Sequence, residues 1–284
     1  MGDQMKKSRN EDTRRRIRWN QKLVCIVYIV LRFLVLMTMV LQIVNRNYEN
    51  VYICLLTLIL FMIPSFVERR LRIELPDTLE IVLLIFIFAA EILGEIREYY
   101  LTIPCWDTIL HTVNGFLFAA VGFSVVSIFN KDIKVTLQLS PFYMAIAAFC
   151  FSMTIGILWE FFEWGMDSWF GLDMQKDTVV TTLQSSTLKN FENQTPNMIQ
   201  GIREVVLFCD NGSQLTIAVG GYLDIGLHDT MLDLLVNFIG AATFSLLGYF
   251  YVANSGKGRI AAGFIPKVME GADEKNETND KYGL

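Results

Sequence analysis

Apolar residues along the chain gather into six runs, Leu23–Val44, Asn50–Val67, Asp77–Ile96, Trp106–Ile128, Phe142–Trp164 and Asp229–Val252. Each is about 20 residues, the length a helix rising ~1.5 Å per residue needs to cross ~30 Å of hydrocarbon. The pattern predicts an all-α polytopic membrane helical bundle with about six transmembrane helices. Between the last two runs, about 165–228, the chain turns polar. There Ile202–Cys209 and Gln214–Val219 flank Asp210-Asn211-Gly212, and Asn-Gly between β-formers predicts a β-hairpin within an outer insertion. Residues 1–22 form a basic arm, and its apolar sequel is too long for a signal-peptide core, so it reads as a retained first span. The transmembrane domain is expected over 23–253, and 254–284, rich in Gly, Asp, Glu, Asn and Lys, reads as a disordered cytoplasmic tail.

Composition agrees with this. The 284 residues are 53% hydrophobic and 19% charged with mean hydropathy +0.40, too apolar for an ordinary soluble domain. Net charge is −5, and the basic residues flank the spans instead of forming one stripe, so no nucleic-acid partner is expected. The five cysteines show no CxxC spacing; a Cys105–Cys209 bridge stays open if both face an oxidising compartment. Of the short loops, Arg69, Arg70, Arg72, Lys131 and Lys134 fall on the same side as the basic arm, against Arg46 and Arg97 opposite. By the positive-inside rule both termini are cytoplasmic and the hairpin region lies outside.

That orientation puts the intramembrane polar residues in the outer half of the bilayer or at its outer surface. Asp107/His111/Asn114, Glu160/Glu163/Asp167 and Asp229/Asp233/Asn237 each recur at helical spacing and so form one stripe per span. Below them the same faces continue in small residues: Gly115, Ala119 and Gly122; Ala148, Ser152 and Gly156; Gly240 and Gly248. Small residues mark close helix packing in membranes, so these faces are expected to meet. Span three adds Glu91 and Glu95 at its outer end, and Arg32 sits near the middle of span one. Intramembrane charges cost at least ~2.5–3.5 kcal/mol each unless paired, hydrated or metal-bound. Arg32 is therefore expected to pair with a carboxylate, Glu91 first.

Three readings compete for the cluster. Asp107, His111, Glu160 and Asp233 offer an N/O ligand set suited to a divalent metal, Zn, Mn or Fe, with Glu163 as a base. Closely spaced carboxylates also suit a proton or ion relay using the same carboxylates and Arg32, with Arg32, Glu91, Asn114, Asp167, Asp229 and Asn237 making up the surrounding polar cluster. The plainest reading is a hydrated set of helix caps and cross-links, strongest for Glu95, Asp167 and Asp229. Trp106, Trp159, Trp164 and Trp169 near the outer boundary form an ordinary aromatic belt.

The runs Trp106-Asp107-Thr108-Ile109-Leu110-His111, Trp159-Glu160-Phe161-Phe162-Glu163, Asp173-Met174-Gln175-Lys176 and Gly221-Tyr222-Leu223-Asp224-Ile225-Gly226-Leu227-His228-Asp229-Thr230-Met231 resemble the YjdF-like predicted bacterial membrane proteins, a family without an assigned function. The resemblance implies a bacterial inner-membrane location and supplies no substrate. A fainter similarity to VanZ-like proteins rests on Asp107/His111, Glu160/Glu163 and Asp233/Asn237/Gly240, with Thr108 where that group tends to carry Lys and with the long outer insertion added. It suggests a cell-envelope role by analogy. The leading expectation is an outward-facing acidic/His site acting on an envelope or lipid-linked substrate. The alternatives are a proton- or ion-coupled transporter and a non-catalytic envelope scaffold.

Overall fold

The structure is a computed structural model describing residues 2–71, 73–131, 139–187, 197–254, 256, 258–265 and 267–268. Its helices are α1 Gly2–Val44, α2 Tyr48–Leu60, α3 Ile63–Leu71, α4 Asp77–Phe88, α5 Tyr99–Thr102, α6 Trp106–Lys131, α7 Pro141–Phe170, α8 Leu227–Ala253 and α9 Arg259–Ala262. Five stretches are long and apolar enough to cross a membrane: Lys22–Val44, Tyr48–Arg70, Trp106–Ser127, Pro141–Phe170 and Leu227–Ala253. The third run expected from sequence, Asp77–Ile96, is helical throughout but changes type, α4 giving way to a π-helical segment over Ala89–Ile96. The basic arm is not a separate element, because α1 continues unbroken from Gly2 into the first span.

The second span is interrupted between α2 and α3. Pro64 has no N–H to offer the carbonyl one turn back and its ring crowds that carbonyl, so the helix breaks at Phe61–Met62. Phe61 N–H still reaches the Thr57 carbonyl at 3.0 Å and Met62 N–H tightens onto Ile59 at 2.9 Å. The Phe61 carbonyl, freed by the break, accepts instead from the Tyr28 hydroxyl on α1. Arg32 holds that tyrosine in place. Its guanidinium donates to Tyr28 Oη at 3.0 Å and lies 4.2 Å from the ring centroid. Among the described residues Arg32 makes no ion pair, so the expected Arg32–Glu91 pairing is replaced by a cation–π and hydrogen-bond contact one turn away on the same helix.

The chain divides into two compact units, one formed by Met1–Gly156 with Val236–Leu284 and the other by Ile157–Leu235. In the first, one core gathers Val35, Cys54, Phe61, Leu84 and Ile92. A second core gathers Ala119, Ala120, Phe123, Met144, Ala148, Ala241, Phe244, Ala261 and Ile265. The last two belong to the expected disordered tail, which instead folds in this part; residues beyond Val268 lie outside the described residues. Large apolar side chains such as Phe33, Phe66 and Phe250 are exposed along the spans, as lipid-facing surfaces require.

The second unit carries short antiparallel strand pairs. β2 Val179–Val180 pairs with β7 Tyr222–Leu223, β3 Thr182–Ser185 with β4 Asn197–Gln200, and β5 Val205–Phe208 with β6 Gln214–Ile217. The last pair is the hairpin expected around Asp210-Asn211-Gly212. Gly212, at φ +78°, supplies the left-handed turn position that a side-chain-bearing residue adopts poorly. In the first unit, β1 Ile73–Glu74 pairs with β8 Lys267–Val268.

Candidate functional site

α6 and α8 meet through glycines. A Cβ on Gly115 would lie 2.1 Å from the Asn237 carbonyl oxygen, and one on Gly240 would lie 2.0 Å from the Thr112 carbonyl oxygen. Both positions therefore have to be glycine for the backbones to touch. Lower on the same helices a Cβ on Gly248 would meet the Phe123 ring at 2.7 Å. The order of these contacts makes the two helices run parallel, with residues 112–116 level with 237–240. α7 joins at the same height: Ser152 Oγ donates to the Gly115 carbonyl at 2.7 Å, and a Cβ on Gly156 would lie 2.6 Å from Asn237 Nδ2. The small-residue faces expected to meet do so.

Polar side chains sit on this platform. Asn114 Nδ2 donates to Asn237 Oδ1 at 3.3 Å, and Asn237 is 1% exposed. One turn ahead of Asn114 on α6 stands His111, buried, with Nε2 3.5 Å from Asp107 Oδ1. Cys105, at φ +139°, turns the chain into this helix. One turn ahead of Asn237, on unbroken α8, stands Asp233, 2% exposed. One ligand atom from each of Asp107, His111 and Asp233 lies within 4.8 Å of the others. This His/Asp group has the donor types that hold a divalent cation.

The remaining sequence candidates stand on α7, on α8 and in the π-helical segment. Glu160 and Glu163 on α7 are both buried, and Glu163 Oε1 accepts from Trp159 Nε1 at 2.8 Å. Among the described residues Glu160 does not enter the three-residue group. Asp167 accepts from the backbone N–H of Met174 at 2.6 Å and of Gln175 at 2.8 Å, and Asp229 accepts from Lys176 N–H at 2.8 Å. These two carboxylates hold the loop after α7. Glu91, with Glu95 one turn on, stands in the π-helical segment, a helix type that often marks functional positions.

Sequence reasoning passed over Asp224, which anchors the second unit. It accepts from Thr178 N–H at 2.8 Å, His228 N–H at 2.7 Å and Gly226 N–H at 3.3 Å. Desolvation pushes its carboxyl up, but the three N–H donors and the nearby His228 outweigh it and hold the pKa below the ordinary aspartate value. Asp177 moves the other way: desolvation first, then Asp173, Asp224 and Asp167, raise it, with Lys176 opposing. Asp224 stands three residues before α8 and caps its first turn through the His228 N–H, a role that the expected start at Asp229 does not reveal.

No curated protein and no solved structure matches the chain. The predicted membrane protein family DUF2238 does, over residues 26–254, most of the chain. A multi-pass membrane chain whose polar residues converge on glycine-to-backbone helix contacts thus belongs to the predicted membrane protein family DUF2238.

Proposed function

We propose that this chain is a six-span protein of the bacterial inner membrane, with both termini cytoplasmic, that binds a divalent cation through Asp107, His111 and Asp233 near its outer surface. The observation that carries the reading is the group itself, three ligand atoms within 4.8 Å with His111 and Asp233 buried. At 3.5 Å the His111–Asp107 pair is looser than a hydrogen bond of ~2.7–3.2 Å. It is close to the ~3.4 Å separating two ligands that share one tetrahedral ion at ~2.1 Å. The three ligand atoms, within 4.8 Å of one another, need to close only to about 3.4 Å to share such an ion, a change that side-chain rotations supply. One imidazole with carboxylates suits Zn²⁺, Mn²⁺ or Fe²⁺ and leaves coordination positions for a substrate oxygen or water.

The sixth span in this reading is Asp77–Ile96, its α and π parts together supplying the crossing length. The orientation is supported by the Lys and Arg of the short loops, Arg69, Arg70, Arg72, Lys131 and Lys134 against Arg46 and Arg97. An ion at the outer ends of the spans faces lipid headgroups and envelope material, so the proposed substrate class is lipid-linked or envelope-derived and the reaction metal-assisted hydrolysis or transfer. Glu163, buried and already accepting a hydrogen bond, is the proposed base.

The test is metal content. Protein purified in detergent and dialysed against Zn²⁺, Mn²⁺ and Fe²⁺ in turn is expected to keep one of them in a one-to-one ratio, and His111→Ala and Asp233→Asn are expected to lose it. A wild-type protein retaining none of the three would overturn the reading.

A further inference from the structure

The chain doubles back into the bundle after α8. Gly256, at φ +80°, donates its N–H to the Tyr251 carbonyl at 2.8 Å, a 6→1 closure that ends the helix and reverses the backbone. The returning segment lies against the helix it left, since a Cβ on Gly258 would be 3.2 Å from Tyr251 Cδ2. α9 follows, and the turn is closed internally: Ala262 N–H reaches the Gly258 carbonyl at 3.1 Å, and Phe264 and Ile265 N–H both reach Ala261, at 3.0 and 3.1 Å. Irregular backbone is tolerated at membrane depth only where protein covers it and its polar groups are satisfied.

Protein covers this segment, and the N–H groups of Ala262, Phe264 and Ile265 are satisfied within it. Ala261 and Ile265 are buried within the core that holds Ala119, Ala120, Ala148, Ala241 and Phe244. Phe264 completes a triangle of rings: its centroid lies 5.1 Å from Phe116 and 6.3 Å from Phe244, which are 5.0 Å from each other. All three pairs meet edge to face, the favourable aromatic geometry. Phe244 lies about 13 Å along α8 from its last residue, Ala253, at ~1.5 Å per residue. Phe264 therefore reaches well inside the bundle, and the chain then leaves again so that Lys267–Val268 can pair with Ile73–Glu74.

The sequence of the segment fits such a path. Arg259 and Lys267 bracket the apolar stretch Ile260-Ala261-Ala262-Gly263-Phe264-Ile265-Pro266. The helices around it present alanines, too small to fill the space themselves. α6 and α8 also carry Ser124 and Ser245, both buried, and Ser245 Oγ has no hydrogen-bond partner among the described residues. From this geometry we infer that Gly258–Ile265 is a re-entrant plug. It closes the end of the bundle where α8 finishes, and its withdrawal exposes the Ala119, Ala120, Ala241 and Phe244 core to water. The inference does not depend on the metal reading.

Cysteine accessibility tests it. With the native cysteines replaced, Phe116→Cys serves as reporter in vesicles, and a charged methanethiosulfonate reagent is applied to each side in turn. In the full chain the reporter is expected to stay unmodified from either side. In a chain ending at Gly258 it is expected to react at least about tenfold faster from the side where α8 ends, the change expected when a local closed state is removed. As a second measurement that needs no truncation, Phe264→Cys in the full chain is expected to react at least about tenfold slower than in the same chain unfolded in detergent. Rapid labelling of Phe264→Cys in the folded chain, or an unchanged Phe116→Cys rate in a truncated chain that keeps its thermal transition, would overturn the proposal.

Discussion

A Cβ placed on Gly115 would stand 2.1 Å from the carbonyl oxygen of Asn237, closer than any carbon and oxygen can approach without bonding. That single contact fixes the register of two parallel spans, and with it the height at which their polar residues stand. Backbone is the obstacle on one side, so no rotamer change relieves a substitution there. Gly115→Ala is expected to force α6 and α8 apart and to cost about 1–3 kcal/mol or more, the range for overpacking a well-packed site. Gly240→Ala, facing the Thr112 carbonyl at 2.0 Å, should cost as much. Thermal unfolding in detergent reads both. Because the two glycines serve one contact, the double variant should lose less than the sum.

The break in the second span makes a different demand. The Phe61 carbonyl faces an apolar core and its partner is the Tyr28 hydroxyl. Tyr28→Phe keeps the ring and removes the donor, so it is expected to cost about 1–3 kcal/mol, the penalty of leaving a buried acceptor unmade. Arg32 acts through that tyrosine. Glu91→Gln is expected to leave thermal stability unchanged if Arg32 serves Tyr28 alone, whereas a loss comparable to that of Tyr28→Phe would restore an Arg32–Glu91 pair.

Asp224 gives the second unit a pH dependence of known sign. Its pKa is lower folded than unfolded, so its contribution is fully present above the unfolded value of ~3.9 and disappears as pH falls through the lower folded value. Asp224→Ala removes a carboxylate that accepts three backbone N–H groups and should cost about 1–2 kcal/mol at neutral pH, the scale of a lost helix cap. The difference in stability between wild type and variant is expected to shrink below about pH 4. A constant difference from pH 7 to pH 3 would contradict the assignment.

Much of the helical architecture is legible in the chain because crossing length and small-residue spacing are one-dimensional signals. Gly115, Gly156 and Gly240 are at helical intervals from their polar partners, and close packing follows from composition alone. The stripe Asp107/His111/Asn114 is legible for the same reason. Which carboxylates serve the candidate site and which hold loops is not, since Asp167, Asp229 and Asp233 look alike by type and spacing. Their roles part only when the loop after α7 returns its N–H groups to the first two. The cost of a lone intramembrane charge predicts a carboxylate partner for Arg32, Glu91 first, whereas the structure gives it an aromatic ring one turn away. The tail was read by composition, and its Gly, Asp and Lys content hid a short apolar stretch that packs against Phe116 and Phe244.

The central claim concerns what Asp107, His111 and Asp233 hold between them. X-ray absorption at the edge of the bound metal reads this directly on the purified protein. The account predicts one imidazole nitrogen and at least two carboxylate oxygens at about 2.0–2.2 Å, with the imidazole signal absent from His111→Ala. A metal environment without imidazole, or one unchanged in His111→Ala, would contradict it.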